Sequence, residues 1–256
     1  MNIVIEFLKY RVKAKRRHGV HSPYVYSLQD KSFKKPLDNN FLSSFKNLQG
    51  QLFKNKKRIA VTPFGAGSKS IKSNTRRISD IAKTSSTTLE YGKLIYRLGE
   101  HIEAKKALEL GTNLGLGTTF LTQVSTLNKL TTVEGCFSLI EEAKKNLSKI
   151  NTTCNIEFFN SSFKNYLENT TEIFDLVYID GDHRSEALFE ILNLLENKIH
   201  NESLIIIDDI RWSDDMFQAW TKIKLSKNFH LSMDFFRMGV IAKRTTQVKE
   251  HFILKK

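Results

Sequence analysis

Cysteine, proline and acidic residues near the start are all scarce in this chain, and each shortage excludes something. Two cysteines, Cys136 and Cys154, form neither a disulfide framework nor, by themselves, a zinc site. Reduced thiols in a cytoplasmic protein are the expectation. Proline stands only at Pro23, Pro36 and Pro63, so no proline-based motif exists in residues 64–256. No apolar run approaches the ~20 residues that a membrane span needs. Residues 1–10 are apolar but interrupted by Glu6 and Lys9, and the cations of residues 13–17 follow that stretch. A secretory signal has the opposite order.

What is present is a globular balance: 256 residues, 40% hydrophobic and 26% charged. A chain of this length buries roughly three quarters of its extended surface and needs no covalent staples. The net charge of +13 is unevenly placed. Residues 1–100 hold 21 Lys and Arg against 6 Asp and Glu; residues 101–256 hold 19 against 21. A basic first half is suited to nucleic acid, anionic lipid or an acidic substrate, and equally to being a solvated face in a Lys-, Asn- and Ile-rich composition.

Residues 1–58 read as short helices and loops. Phe7, Leu8 and Val12 recur at helical spacing, as do Phe41, Phe45, Leu48 and Leu52. His18 and His21 lack a third ligand nearby, so a turn that docks Tyr24 and Tyr26 outweighs a metal pair. Gly65, Gly67, Ser68 and Lys69 precede a basic helix candidate over residues 76–83. They suit either an anion-holding turn or an ordinary one, and the P-loop spacing is absent.

From residue 88 helices and strands alternate. Periodicity predicts helices over 91–101, 118–126, 139–150, 187–195 and 216–225. Strands are predicted over 107–110, 130–134, 156–159, 174–179 and 204–207, with a closing pair over 229–235 and 238–242. This is an α/β, doubly wound, mostly parallel sheet with an antiparallel terminal hairpin, preceded by a helical extension over 1–87. Right-handed crossovers bring the C-terminal ends of the strands to one edge, where ligands bind.

The first of these strands ends in Glu109-Leu110-Gly111, followed by Gly115 and Gly117; the second ends in Glu134. Glycines permit close backbone approach, and an acid about 20 residues on can accept ribose hydroxyls. The Gly-x-x-x-Gly-x-Gly spacing departs from the dinucleotide fingerprint, so a nucleoside is the leading ligand.

These motifs, with residues 174–183 (FDLVYIDGDH) and 204–209 (LIIIDD), resemble class I S-adenosylmethionine-dependent methyltransferases, in particular the branch that methylates oxygen on small molecules. The resemblance covers residues 88–242 and divides the chain into an extension or cap, 1–87, and a methyltransferase domain, 88–256. It implies that Glu109, Gly111, Thr112, Asn113, Gly115 and Gly117 cradle the methionine portion and that Glu134 holds the ribose. Ser161, Ser162 and Phe163 would border the adenine, and Asp180 also faces the cofactor. Asp180, Asp208 and Asp209 stand where that branch often places ligands to Mg²⁺ or another divalent cation, and His183, with Asp180, is the catalytic candidate. Against the metal stands the reading that Asp182, Asp208 and Asp209 cap helices or meet Arg184 and Arg211. The Asn/Asp-Pro-Pro-Tyr/Phe motif of nucleic-acid amino-methylating enzymes is absent. The expected function is therefore O-methylation of a small acceptor by a cytoplasmic enzyme. Nucleic-acid methylation through the basic first half, and nucleoside binding without turnover, are the alternatives. Acceptor and oligomeric state are not encoded in any motif.

Overall fold

The computed structural model describes residues 2–61 and 75–256. The glycine-serine segment at 65–69 lies outside the described residues. Helix α1 (Ile3–Lys13), capped by the Asn2 side chain, leads to a short α2 (Pro23–Ser27) and then to α3 (Asn39–Lys54), capped by Asp38. A small antiparallel pair, β1 (Arg58–Ala60) and β2 (Thr75–Arg77), precedes α4 (Ile78–Thr84) and α5 (Leu89–His101). Arg76 and Arg77, expected on a helix, thus lie on β2.

The alternating half follows the predicted order through β3 (Lys106–Leu110), α6 (Leu116–Leu121), β4 (Lys129–Glu134), α7 (Phe137–Leu147) and β5 (Asn155–Asn160), and then adds a helix that was not predicted, α8 (Phe163–Asn169). Then come β6 (Phe174–Ile179), α9 (Ser185–Leu195), β7 (Ile199–Ile207), α10 (Asp214–Leu225), β8 (Leu231–Phe235), β9 (Met238–Ala242) and β10 (Glu250–Ile253). The sheet runs β10-β8-β9-β7-β6-β3-β4-β5. β5, β4, β3, β6 and β7 are parallel, and β9 pairs antiparallel with both β7 and β8. Strand β10, which no periodicity announced, adds in parallel to β8 at the edge.

Both faces of the sheet are covered, so the central strands are buried at most positions, with near-continuous apolar runs in β6 and in the second half of β7. Period-two alternation sorts them. Leu108, Leu110, Val177, Ile179, Ile205 and Ile207 pack under α9 and α10. Ala107, Leu130, Leu176, Tyr178, Leu204 and Ile206 pack on the other face, with α5 and α6. The same core takes in Val25, Leu28, Phe41, Phe45, Leu48 and Leu52 of the N-terminal helices, and the rings of Phe41 and Phe45 meet Phe120 edge-on at 5.3 and 4.6 Å. Apolar packing is therefore continuous across residue 87. No helix among the described residues is long and apolar enough to cross a membrane.

The chain winds β3, β4 and β5 outward in one direction, then returns to place β6 on the other side of β3. The switch point lies between β3 and β6. Their ends are tied: Asp180 donates its amide to Leu110 at 2.8 Å, Gly111 to Val133 at 2.9 Å and Asp208 to Ile179 at 2.9 Å. Gly111, Asp180 and Asp208 are thereby brought side by side on one edge.

Candidate active site

Gly111 ends β3 with φ +109°, and a Cβ there would collide with the Asp180 carbonyl oxygen. Only glycine allows the β3 and β6 backbones to approach so closely. Asn113, with φ +49°, and Gly115, with φ +81°, complete the turn, and Gly115 caps α6. Thr112 Oγ1 lies 2.6 Å from Thr132 Oγ1, fixing the loop to β4.

Glu134 accepts the Asn113 amide at 3.0 Å on one oxygen and the Cys136 amide at 2.9 Å on the other. Each oxygen keeps a further lone pair for a ligand hydroxyl. Burial raises its carboxyl above the ordinary range, against the pull of these amides. Glu134 forms the wall of a cavity of about 220 Å³ together with Gly111, Asn113, Ser161, Ser162, Phe163 and Asp180. Ser162 also caps α8 by accepting the Asn165 amide, and the Phe163 ring closes against Gly181.

A second, much smaller cavity of about 10 Å³ lies under the glycine loop, lined by Thr112, Gly117, Asp180 and by Ser85, Ser86 and Thr87. The serines and Thr87 belong to the extension over 1–87 and carry no motif; only the tertiary structure folds them against the loop. Three buried polar atoms at this end have no partner: Glu109 Oε1, Ser86 Oγ and Asn113 Oδ1. Orphaned buried groups are costly and point to a polar ligand. Glu109 Oε2 is by contrast satisfied, by Thr118 at 2.7 Å and Thr132 at 2.6 Å. Burial pushes the Glu109 carboxyl up to about 8, opposed by these hydroxyls. A ligand ammonium beside Oε1 suits this group, so the donor set fits the amino-acid end of a nucleoside.

The expected metal ligands are placed differently. Asp208 is buried and takes a bidentate pair from Arg237, Nε and Nη2 each at 2.8 Å, while Tyr178 donates to it at 2.9 Å. Arg237 Nε also lies 3.0 Å from Asp209. A guanidinium thus already balances Asp208, which leaves Asp180 and Asp209 of the expected set as candidate ligands. Asp182 meets Arg184, at 2.6 and 2.7 Å, as the alternative reading expected. Arg211 instead pairs with Asp234. The cluster that does form is Asp180, His183 and Asp209, with one candidate ligand atom from each within 4.8 Å of the others. His183 Nε2 is 3.7 Å from Asp209. Burial, then Asp208, raises both the Asp180 and Asp209 carboxyls, and Arg237 opposes this. Arg237 carried no signal in the sequence: it sits in the β8–β9 turn, 29 residues from Asp208.

Asp209 and Arg237 also border a cavity of about 440 Å³ with Ile3, Trp212, Ser213 and Phe236. Asp180 borders both smaller cavities and Asp209 the larger one, so the Asp180–Asp209 cluster stands between them.

Residues 108–210 match the family model described as a methyltransferase domain. Over those residues, about two fifths of its length, the chain is similar to methyltransferase domains. Similar solved structures include an O-methyltransferase from Bacillus cereus in complex with SAH, at 18% identity and TM-score 0.56, covering 82% of this chain and 93% of that one. A SAH-bound methyltransferase from Podospora anserina has 10% identity and TM-score 0.59, covering 88% and 97%. At such identities the likeness is one of fold. No curated protein sequence matches.

Proposed function

We propose that the protein methylates an oxygen of a small acceptor at the cluster of Asp180, His183 and Asp209. The observation that carries this reading is the placing of three cavities around that cluster: one walled by Glu134, a small one beneath the glycine loop near the unpartnered Ser86 and Asn113 atoms, and a third, part apolar, bordered by Asp209. When bound, S-adenosylmethionine supplies an activated methyl group. Glu134 holds the ribose hydroxyls, Ser161, Ser162 and Phe163 border the base, and Glu109, Ser86 and Asn113 take the amino-acid end. The chain must then align the acceptor, remove its proton and exclude water. His183, whose Nε2 lies 3.7 Å from Asp209, accepts that proton. Arg237, and not a divalent cation, balances Asp208 and Asp209. Two buried free thiols, Cys136 and Cys154, fit a reducing cytoplasm. Neither alternative, nucleic-acid methylation or nucleoside binding without turnover, draws support from the comparisons.

The test uses labelled S-adenosylmethionine and fractionated cell extract. Label should enter a non-nucleic-acid fraction through a base-stable, ether-type linkage, and chelator should leave the rate unchanged. Glu134→Ala should weaken SAH binding by calorimetry at least tenfold, the scale of one or two charge-assisted hydrogen bonds. Label in RNA overturns the acceptor class, and loss of activity in chelator, restored by Mg²⁺, overturns the role given to Arg237.

A further inference from the structure

Helix α1 has one side committed to the fold and one side bare. On the committed side, Tyr10 is buried and donates its hydroxyl to the Leu254 carbonyl at 2.6 Å, and Phe7 meets the Phe236 ring edge-on at 5.0 Å. On the other, Val4, Leu8 and Val12 recur every fourth residue and so form one stripe. They are 63%, 59% and 87% exposed, and Ile5 widens the stripe. Lys9 and Arg11 flank it by helical spacing. Lys13, Lys15 and Arg16 continue the positive charge with no acidic partner among the described residues. Lys224 stands close enough that Arg211 and Lys13, added to its burial, push its ammonium down. Trp212 is 66% exposed on the rim of the same cavity whose wall includes Ile3.

These features select an occupant. An apolar stripe bordered by cations is the pattern of a helix lying in a lipid–water interface. At 11 residues α1 is about 16 Å long, enough to lie on a bilayer and too short to cross one. Tryptophan favours the same interfacial depth. A second copy docked through this face by a twofold axis would oppose its own cations to themselves. Nucleic acid would satisfy the cations but leave the stripe in water. We propose that α1 and Trp212 seat the protein on an anionic lipid bilayer. The cavity holding Asp209 and Arg237 then opens at the membrane surface, between Ile3 and Trp212. In combination with the methyl-transfer reading, on which this second step rests, the acceptor is an amphiphile presented from the bilayer.

Full-length protein is floated with vesicles of phosphatidylcholine alone or mixed with phosphatidylglycerol. Binding is expected only to the anionic vesicles, weakening with salt. Trp220 is fully buried, so a blue shift of tryptophan emission on binding reports Trp212. The triple variant Val4→Ser, Leu8→Ser, Val12→Ser should lose at least about tenfold in vesicle affinity, with SAH affinity and unfolding temperature unchanged. Equal binding by that variant, or no binding to anionic vesicles, overturns the proposal. So does a wild-type dimer that the variant converts to monomer, which assigns the stripe to a second copy. Vesicle binding without label transfer to any extracted lipid leaves the seating intact and removes the acceptor class; failure to bind SAH removes the methyl-transfer reading alone.

Discussion

Glu109 concentrates the physics of the site in one side chain. It is 1% exposed, one oxygen is saturated by threonines and the other has no partner. Its carboxyl is raised from 4.5 to about 8, chiefly by burial. For an acid raised on folding, the stability contribution is complete below the unfolded value and is lost as pH rises through the folded one. The ligand-free protein should therefore lose stability between about pH 4.5 and 8 through this residue. Glu109→Gln should remove that fall, unfolding later than wild type above pH ~8 while binding SAH at least tenfold more weakly. Thermal unfolding across pH, with and without SAH, checks both; parallel wild-type and variant profiles would count against it. Glu109 was legible because it and its glycines are contiguous in the chain. Arg237 was not, because its partners are reached only through sheet pairing. Once found, it predicts that Arg237→Gln, by leaving buried Asp208 unpaired, costs about 3–5 kcal/mol. Chemical denaturation measures that loss, which should be smaller in Arg237→Gln with Asp208→Asn.

At the scale of elements, the β3–α6 turn is the most constrained piece of backbone. Gly111→Ala meets both a positive φ and the Asp180 carbonyl. The strain alone is about 1–3 kcal/mol, and relief requires β3 and β6 to separate. Stability and SAH affinity should fall together in this variant, whereas Gly50→Ala, in an open helical position, should raise stability by up to about 1 kcal/mol and leave SAH affinity unchanged. Unchanged SAH affinity in Gly111→Ala would show that the loop is not the cofactor cradle. Strands β6 and β7 are readable from apolar runs because burial on both faces favours such runs. Helix α6 begins at Leu116, not Thr118, and ends at Leu121, not Thr126, because Gly115 in the left-handed region starts it early. Helix α8 has only Tyr166 and Leu167 buried, too few to create a period. Strand β10 likewise carries no alternation; its pairing with β8 and the bridge from Lys15 to Leu254 hold it.

Across the whole molecule, two histidines, His101 half-buried and His251 with an exposed edge, couple the chain ends to the sheet. His101 on α5 lies 2.9 Å from Ser32 and edge-on to Tyr24 at 4.8 Å. His251 on β10 lies 2.9 Å from Ser232 on β8. Burial, then nearby cations, lowers both from 6.5 to about 4. A group with a depressed folded value contributes stability that is present above the unfolded value and lost as pH falls through the folded one. Stability should thus fall between about pH 6.5 and 4, with amides of residues 20–33 and of β10 exchanging before those of β3 and β6. Replacing both histidines by Gln should flatten this slope; an unchanged acid limb would place its cause elsewhere.

The chain by itself determined the order of elements from residue 88, the two-faced burial of the central strands, and the glycine loop with its acids. These depend on local periodicity and on residues close in sequence, which any fold of this class must use in the same way. The tertiary structure decided which distant groups meet. It brought Ser85, Ser86 and Thr87 under the loop, and it placed the Arg237 guanidinium on Asp208, where a cation had been expected. It also packed α2 and α3 into the core while leaving the outer stripe of α1 bare. Apolar spacing in a helix announces a buried face and an unpartnered one alike, and only packing distinguishes them.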